Sequence, residues 1–333
     1  FISARYGKRK NIALLTSLIC LVVVVPYIAL QLKAVASSYH VLLGGDFSDE
    51  AANWWQDSAF LSALAMAFFA ILFGTRKLHL TEQSRGVMVA IAFESVVKLF
   101  ALLVLGLAVY VFVLADDTSV FERFAEHAMT QQQSSSGQGV VEFFTKTILA
   151  MAAVFLLPRQ FHVTFVENQH LGHLRSARWI FPLYLLLMGM FTLPLALAGV
   201  MLLGADANID LVILQLPLAA QRTDMALLAY LGGFSAATSM VVVATVVLGI
   251  MITNELLAPL LYRTAAPQSG QTRHIKVATL RRIAMLTVMA LGYVYYRWIG
   301  TATGLAQLGL MAFALVAQLA PALILGLLSR NIN

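Results

Sequence analysis

Thr147-Ile-Leu-Ala-Met-Ala-Ala-Val-Phe-Leu-Leu157, followed at once by Pro158-Arg-Gln-Phe-His-Val-Thr164, decides how this chain is read. The apolar run is shorter than the roughly 20 residues a helix needs to cross a bilayer. It stops at a proline, which has no amide proton to donate and interrupts helical pairing. Beyond the proline come side chains that form hydrogen bonds rather than lipid contacts. Every neighbouring apolar segment is of spanning length, so this one reads as a membrane span broken partway. Backbone released from helical pairing at membrane depth is tolerated only where protein or a water-filled cavity satisfies it. Broken spans of this kind point to midplane solute or ion sites.

Working outward, the composition agrees. The chain is 60% hydrophobic and 11% charged, against about 25% charged residues in a soluble domain. A soluble globular fold is excluded. The net charge of +6 does not indicate nucleic acid, because Lys and Arg sit in short loops between apolar segments, where they report topology. The lone cysteine, Cys20, lies in an apolar run and reads as a buried inert thiol. The chain opens on Phe1, with Arg5, Lys8, Arg9 and Lys10 leading into the first span. Residues 1–333 are therefore expected to form a single transmembrane domain within a longer protein.

Eight spans are expected, at 12–32, 58–75, 87–114, 146–166, 179–203, 223–253, 280–299 and 303–328. Helices are the fit, since the alternation of a membrane barrel is missing. With the N-terminus inside, the inner loops (1–11, 76–86, 158–178, 254–282, 329–333) hold 16 of the 22 Lys and Arg. The outer loops (34–57, 115–145, 204–224) hold 12 of the 16 acids. Basic residues inside is the general rule, so both termini are expected in the cytoplasm. Residues 128–139, rich in Gln, Ser and Gly, read as a flexible outer loop.

Few residues could carry chemistry. Glu94 and Lys98 lie four apart inside the third span and share a helix face. Each alone would cost about 2.5–3.5 kcal/mol in the membrane; together they read either as a charge relay or as a structural pair. Ser235, Thr238 and Ser239 in the sixth span could pack a close helix contact or supply oxygen ligands to a small cation. Glu167, His170 and His173 have helical spacing but sit in a polar loop, and no metal site is assigned to them. Gln31, His162 and Gln318 are isolated polar residues in apolar spans, and Pro321 should kink the last one. With no nucleophile–base set, phosphate loop or dinucleotide fingerprint, no enzyme active site is expected in this segment.

These residues resemble a family. Phe1-Ile-Ser-Ala-Arg-Tyr-Gly7, Leu157-Pro-Arg-Gln-Phe-His-Val163, Ser176-Ala-Arg178, Ser235-Ala-Ala-Thr-Ser-Met240, Ile252-Thr-Asn-Glu255 and Ala317-Gln-Leu-Ala-Pro321 resemble, in order, motifs of the sodium/solute symporters. The spellings Tyr27–Lys33, Phe93–Lys98 and Leu157–Asn168 are most similar to the transporter-type N-terminal module of bacterial sensor histidine kinases governing carbon and nitrogen use. The resemblance implies a partial LeuT-type inverted-repeat fold: all-α, polytopic, about eight transmembrane helices, corresponding to core helices three to ten. The first two core helices, and any C-terminal kinase carrying out phosphotransfer from ATP, would lie outside the chain.

It further implies a symporter-like module binding a small polar solute, an amino acid such as histidine or proline, and serving as the input domain of a two-component kinase. The alternative is a stand-alone sodium- or proton-coupled symporter. Solute contacts would come from Gln31, Gln160, Phe161, His162 and Gln318, and ion coupling from Ser235, Ala236, Ser239 and Glu82. No cofactor is implied beyond Na+ or H+. Partners would be the solute and the bilayer of a bacterial inner membrane, with a dimer if a kinase is attached. Two positions depart from the family: Met240 stands where a second sodium-ligating hydroxyl is found, and Glu82 replaces an Asp. A thioether is a poor sodium ligand, so these departures motivate proton coupling through Glu82 or His162.

Overall fold

A computed structural model describes residues 1–44, 55–74, 85–111, 138–168, 170–204, 208–262, 270–300 and 302–328. Glu82 and the polar stretch 128–137 lie outside the described residues. The helices are α1 (Ile2–Arg5), α2 (Lys10–Leu42), α3 (Ser58–Gly74), α4 (Arg85–Val109), α5 (Gln138–Leu156), α6 (Pro158–Phe161) and α7 (Leu171–Leu203). They continue with α8 (Val212–Ala219), α9 (Thr223–Ile252), α10 (Ala258–Tyr262), α11 (Gly270–Tyr295), α12 (Leu305–Ala317) and α13 (Ala320–Leu328). The chain is an all-α polytopic membrane protein. Among the described residues seven helical stretches are long and apolar enough to span a bilayer, and α3, at 17 residues, is a shorter apolar helix beside them. Each expected span thus has its helix.

Several helices overrun the expected loops. The first span was expected to end at 32, but α2 runs 33 residues to Leu42, a length of about 50 Å at 1.5 Å per residue. The expected outer loop 204–224 contains α8, whose Val212, Leu214 and Leu216 are buried. An apolar hydrophobic face at that spacing finds core to cover it, and propensity follows.

Helices α2 and α9 form the centre, packed on each other, with α3, α11 and α12 against α2 and α4 against α9. The largest cluster of buried side chains lies there, including Ile28, Leu32, Val241, Leu248 and Val288. Lipid is as apolar as leucine, so helix pairs rely on close fit, and small residues supply it. Gly292 admits the Ile28 side chain, which a Cβ would meet at 2.5 Å. At Gly232 of α9 a Cβ would lie 2.7 Å from the Ala101 methyl and 3.8 Å from the Lys98 Cα. Gly232→Ala should therefore push α4 off α9 and cost about 1–3 kcal/mol, the usual range for overpacking. A thermal melt in detergent checks this; an unchanged melting temperature would refute the contact.

Helix α4 has two faces. Val89, Phe93, Val96 and Phe100 are exposed, as lipid-facing residues should be, while Ala101 and Leu105 are each 3% exposed. Residues 94, 98, 101 and 105 recur at helical spacing, so Glu94 and Lys98 share the inward stripe.

The expected break is present. Helix α5 ends at Leu156, Leu157 leaves helical geometry (φ −59°, ψ 125°), and Pro158 starts α6. A residue before proline is driven out of the α region by the proline ring, and proline suits a helix's first position. From His162 to Val166 the chain continues as a wide π-type turn. The last span breaks too: α12 ends at Ala317, Gln318 and Leu319 bond back to Leu315 and Val316 at 3.4 and 3.0 Å, and Pro321 lies in α13.

Candidate functional site

The break, the inward stripe of α4 and the middle of α9 and α2 bring five polar side chains together. The Glu94 carboxyl faces the Ser239 hydroxyl, which lies 3.4 Å from the Ala236 carbonyl. Lys98 interacts electrostatically with both Glu94 and Arg159, and its Nζ stands 5.9 Å from the centre of the Tyr184 ring. The Tyr184 hydroxyl donates to the Ser95 carbonyl at 3.3 Å, tying α7 to α4. Arg159, first residue after the proline, lays its guanidinium over Tyr27 of α2 at 5.9 Å. Glu94 Oε2 and Arg159 Nε are shielded yet without a hydrogen-bond partner among the described residues. The site therefore holds two cations against one anion, with donors and an acceptor still open.

Sequence reasoning missed two members. Arg159 was counted among the cytoplasmic loop charges, but the break turns it into the bundle over Tyr27. Tyr27 read as a plain span residue. An arginine one residue past a mid-span proline was the available sign. Arg281, also assigned to an inner loop, is 3% exposed within α11, where its Nη1 donates to the Gly74 carbonyl at 3.5 Å.

The other expected site residues scatter around this cluster. Glu94 and Lys98 share a face without closing an ion pair on each other: Glu94 turns to Ser239, Lys98 to Tyr184. Ser239 is buried, Ser235 and Ala236 are half-buried one turn away, and Thr238 points outward, donating to Phe234 at 2.7 Å. Gln31 and Gln160 are half-buried. Phe161 packs between Phe1 and Phe165, with ring centres 5.7 and 4.9 Å away. His162 Nε2 lies 3.4 Å from Glu167 Oε1. The His170 and His173 rings meet edge-on at 5.4 Å. Gln318 is exposed and its amide reaches back to Ala314 at 3.5 Å, so it does not join the cluster.

Polar contacts close the bundle at both ends. At the end where α2 finishes, Lys33 donates to the carbonyls of Gly300 (2.8 Å) and Thr303 (2.6 Å). Asp57 there caps α3 through the Ala59 amide (2.9 Å), accepts the Tyr293 hydroxyl (2.9 Å) and lies 3.8 Å from Arg297. Asp210 caps α12 by accepting the Leu305 amide at 3.0 Å. At the end holding the N-terminus, Tyr6 donates to the Ala322 carbonyl at 2.9 Å. The central cluster lies between these two closures.

The chain is similar to a curated protein of Bacillus subtilis (strain 168) named as an uncharacterized symporter, YhjB: 26% of aligned residues are identical, covering 98% of this chain and 62% of the relative. The chain thus spans about three fifths of the length of the relative it matches. No protein-family model matches, and no solved structure matches. The likeness runs along nearly the whole chain.

Proposed function

We propose that this chain forms the binding core of a cation-coupled symporter for a small polar organic solute of the amino-acid kind, built on a LeuT-type inverted repeat and sited in a bacterial inner membrane with its N-terminus cytoplasmic. The observation that carries the reading is the cluster of Tyr27, Glu94, Lys98, Arg159 and Ser239 at the broken span. Ionisable groups inside a membrane are costly and mark solute or ion pathways by default. Broken helices place such sites at the midplane, with rocking of one half of the fold giving alternating access.

Protons are the coupling ion this arrangement favours. The Ser239 hydroxyl turns to the Ala236 carbonyl, and the neighbouring position is Met240, so hard oxygen ligands for sodium are few. Glu94 adds a midplane carboxyl to the earlier candidates, Glu82 and His162. A kinase-linked input role for the same fold draws its support from the spellings of Phe93–Lys98 and Leu157–Asn168.

The test is uptake of labelled amino acids into vesicles containing the full-length protein. Accumulation driven by an inward proton gradient, persisting without sodium and collapsing with a protonophore, is the expected result. Strict sodium dependence would refute proton coupling; equal label in protein-free vesicles would refute transport.

A further inference from the structure

We propose that Arg159 and Lys98 bind the carboxylate group of the transported solute, an inference that rests on the transport reading and names its substrate class. Arg159 offers a planar fork of N–H donors matched to a carboxylate. The Tyr27 ring beneath it holds the fork by its face, and its Nε has no hydrogen-bond partner among the described residues. Lys98 is likewise held by an aromatic face, that of Tyr184, with its charge directed into the same region.

Like charges placed together in a membrane repel, and Glu94 balances only one of them. Two cations and one anion leave one positive charge beside the largest cluster of buried apolar side chains. A solute carboxylate supplies the missing negative charge and the acceptors the open donors require. A polar solute without a carboxylate would leave the open donors without an anionic acceptor. A phosphate ester would bring more negative charge than the site can match. The guanidinium, held over Tyr27, also places the carboxylate beside the break.

The source of the carboxylate is either a simple short-chain monocarboxylate, which closes the charge count, or a zwitterionic amino acid. The ammonium of an amino acid would pair with Glu94 while its carboxylate meets the two cations, leaving the net charge as it was. Chemical protection separates these. The full-length protein in detergent is treated with phenylglyoxal, which modifies accessible arginines, and the adduct at Arg159 is quantified by mass spectrometry. The competitors are the twenty amino acids, acetate, propionate, pyruvate and lactate, with the matching amides as controls.

At least one carboxylate should slow modification of Arg159 while its amide does not, and the same compound should be the one accumulated in vesicles. Protection by amides as good as by acids, or by no compound of the panel, would overturn the proposal. Such a result would leave transport itself standing if vesicles still accumulate a neutral solute. Protection without accumulation would uphold the carboxylate site and count against transport.

Arg159→Lys keeps the charge and most of the side chain but loses the fork. It should weaken binding of the protecting carboxylate about 10–100-fold, the span of a lost charge-assisted hydrogen bond, measured by equilibrium binding of the labelled compound. Lys98→Gln should weaken it as well; unchanged affinity in both variants refutes the assignment.

Discussion

Glu94→Gln is expected to abolish gradient-driven uptake while tightening retention of the solute. The substitution preserves shape and keeps an acceptor for the Ser239 hydroxyl. It removes the anion that faces Lys98, leaving Lys98 and Arg159 without that compensation. Breaking a buried charge set by deleting one partner costs about 3–5 kcal/mol; for half-buried groups such as these, about 1–3 kcal/mol is the expected loss of stability. An extra net positive charge holds a carboxylate more strongly, and the position-94 side chain can no longer carry a coupled proton or displace the solute. Equilibrium binding should therefore rise as the initial rate of uptake falls to background. The double variant Glu94→Gln, Lys98→Gln restores the charge balance, so its melting temperature should recover while uptake stays lost. Uptake at the ordinary rate in Glu94→Gln would remove this carboxyl from the transport cycle.

The transmembrane architecture was legible because it follows from length and polarity. A run such as 223–253 has one low-energy place to go, and charge asymmetry then orders the loops. The break at Leu157 was legible because proline acts on its own neighbours, whatever the rest of the fold does. The face shared by Glu94 and Lys98 was legible from helical spacing. Their partners were not. Spacing within α4 cannot show that Ser239 sits opposite Glu94, since that depends on how α9 crosses, and the crossing depends on Gly232 meeting Ala101. Arg159 was misread for a related reason: a charge beside the end of an apolar run reads as a loop charge unless the chain continues as helix past the break, as it does here to Val166. Lys33 and Asp57 fell beyond the ends of expected spans, yet α2 carries Lys33 into buried contact with the turn after Tyr296–Gly300.

Asp57→Asn should open the far end of the bundle. Asp57 is 6% exposed and joins three elements: it caps α3, accepts from Tyr293 of α11 and faces Arg297 in the turn that follows. Asparagine can still cap the helix and can keep one hydrogen bond, so α3 itself should remain intact. What is lost is the charge that draws Arg297 and strengthens the Tyr293 bond, about 1–2 kcal/mol for a charge-assisted pair. If these contacts exist only when this end is closed, the loss falls wholly on the closed state, and the open population should rise about tenfold. Gln31 lies on α2 between Tyr27 of the central cluster and Lys33 of the closure, which makes it a suitable reporter. In a background with Cys20 replaced by alanine, the variant Gln31→Cys should react with a membrane-impermeant maleimide about tenfold faster once Asp57→Asn is added. Cys20 is buried and is the chain's only cysteine, so the label reports position 31 alone. An unchanged labelling rate together with a lowered melting temperature would show that Asp57 holds the helices together without controlling access to the cluster.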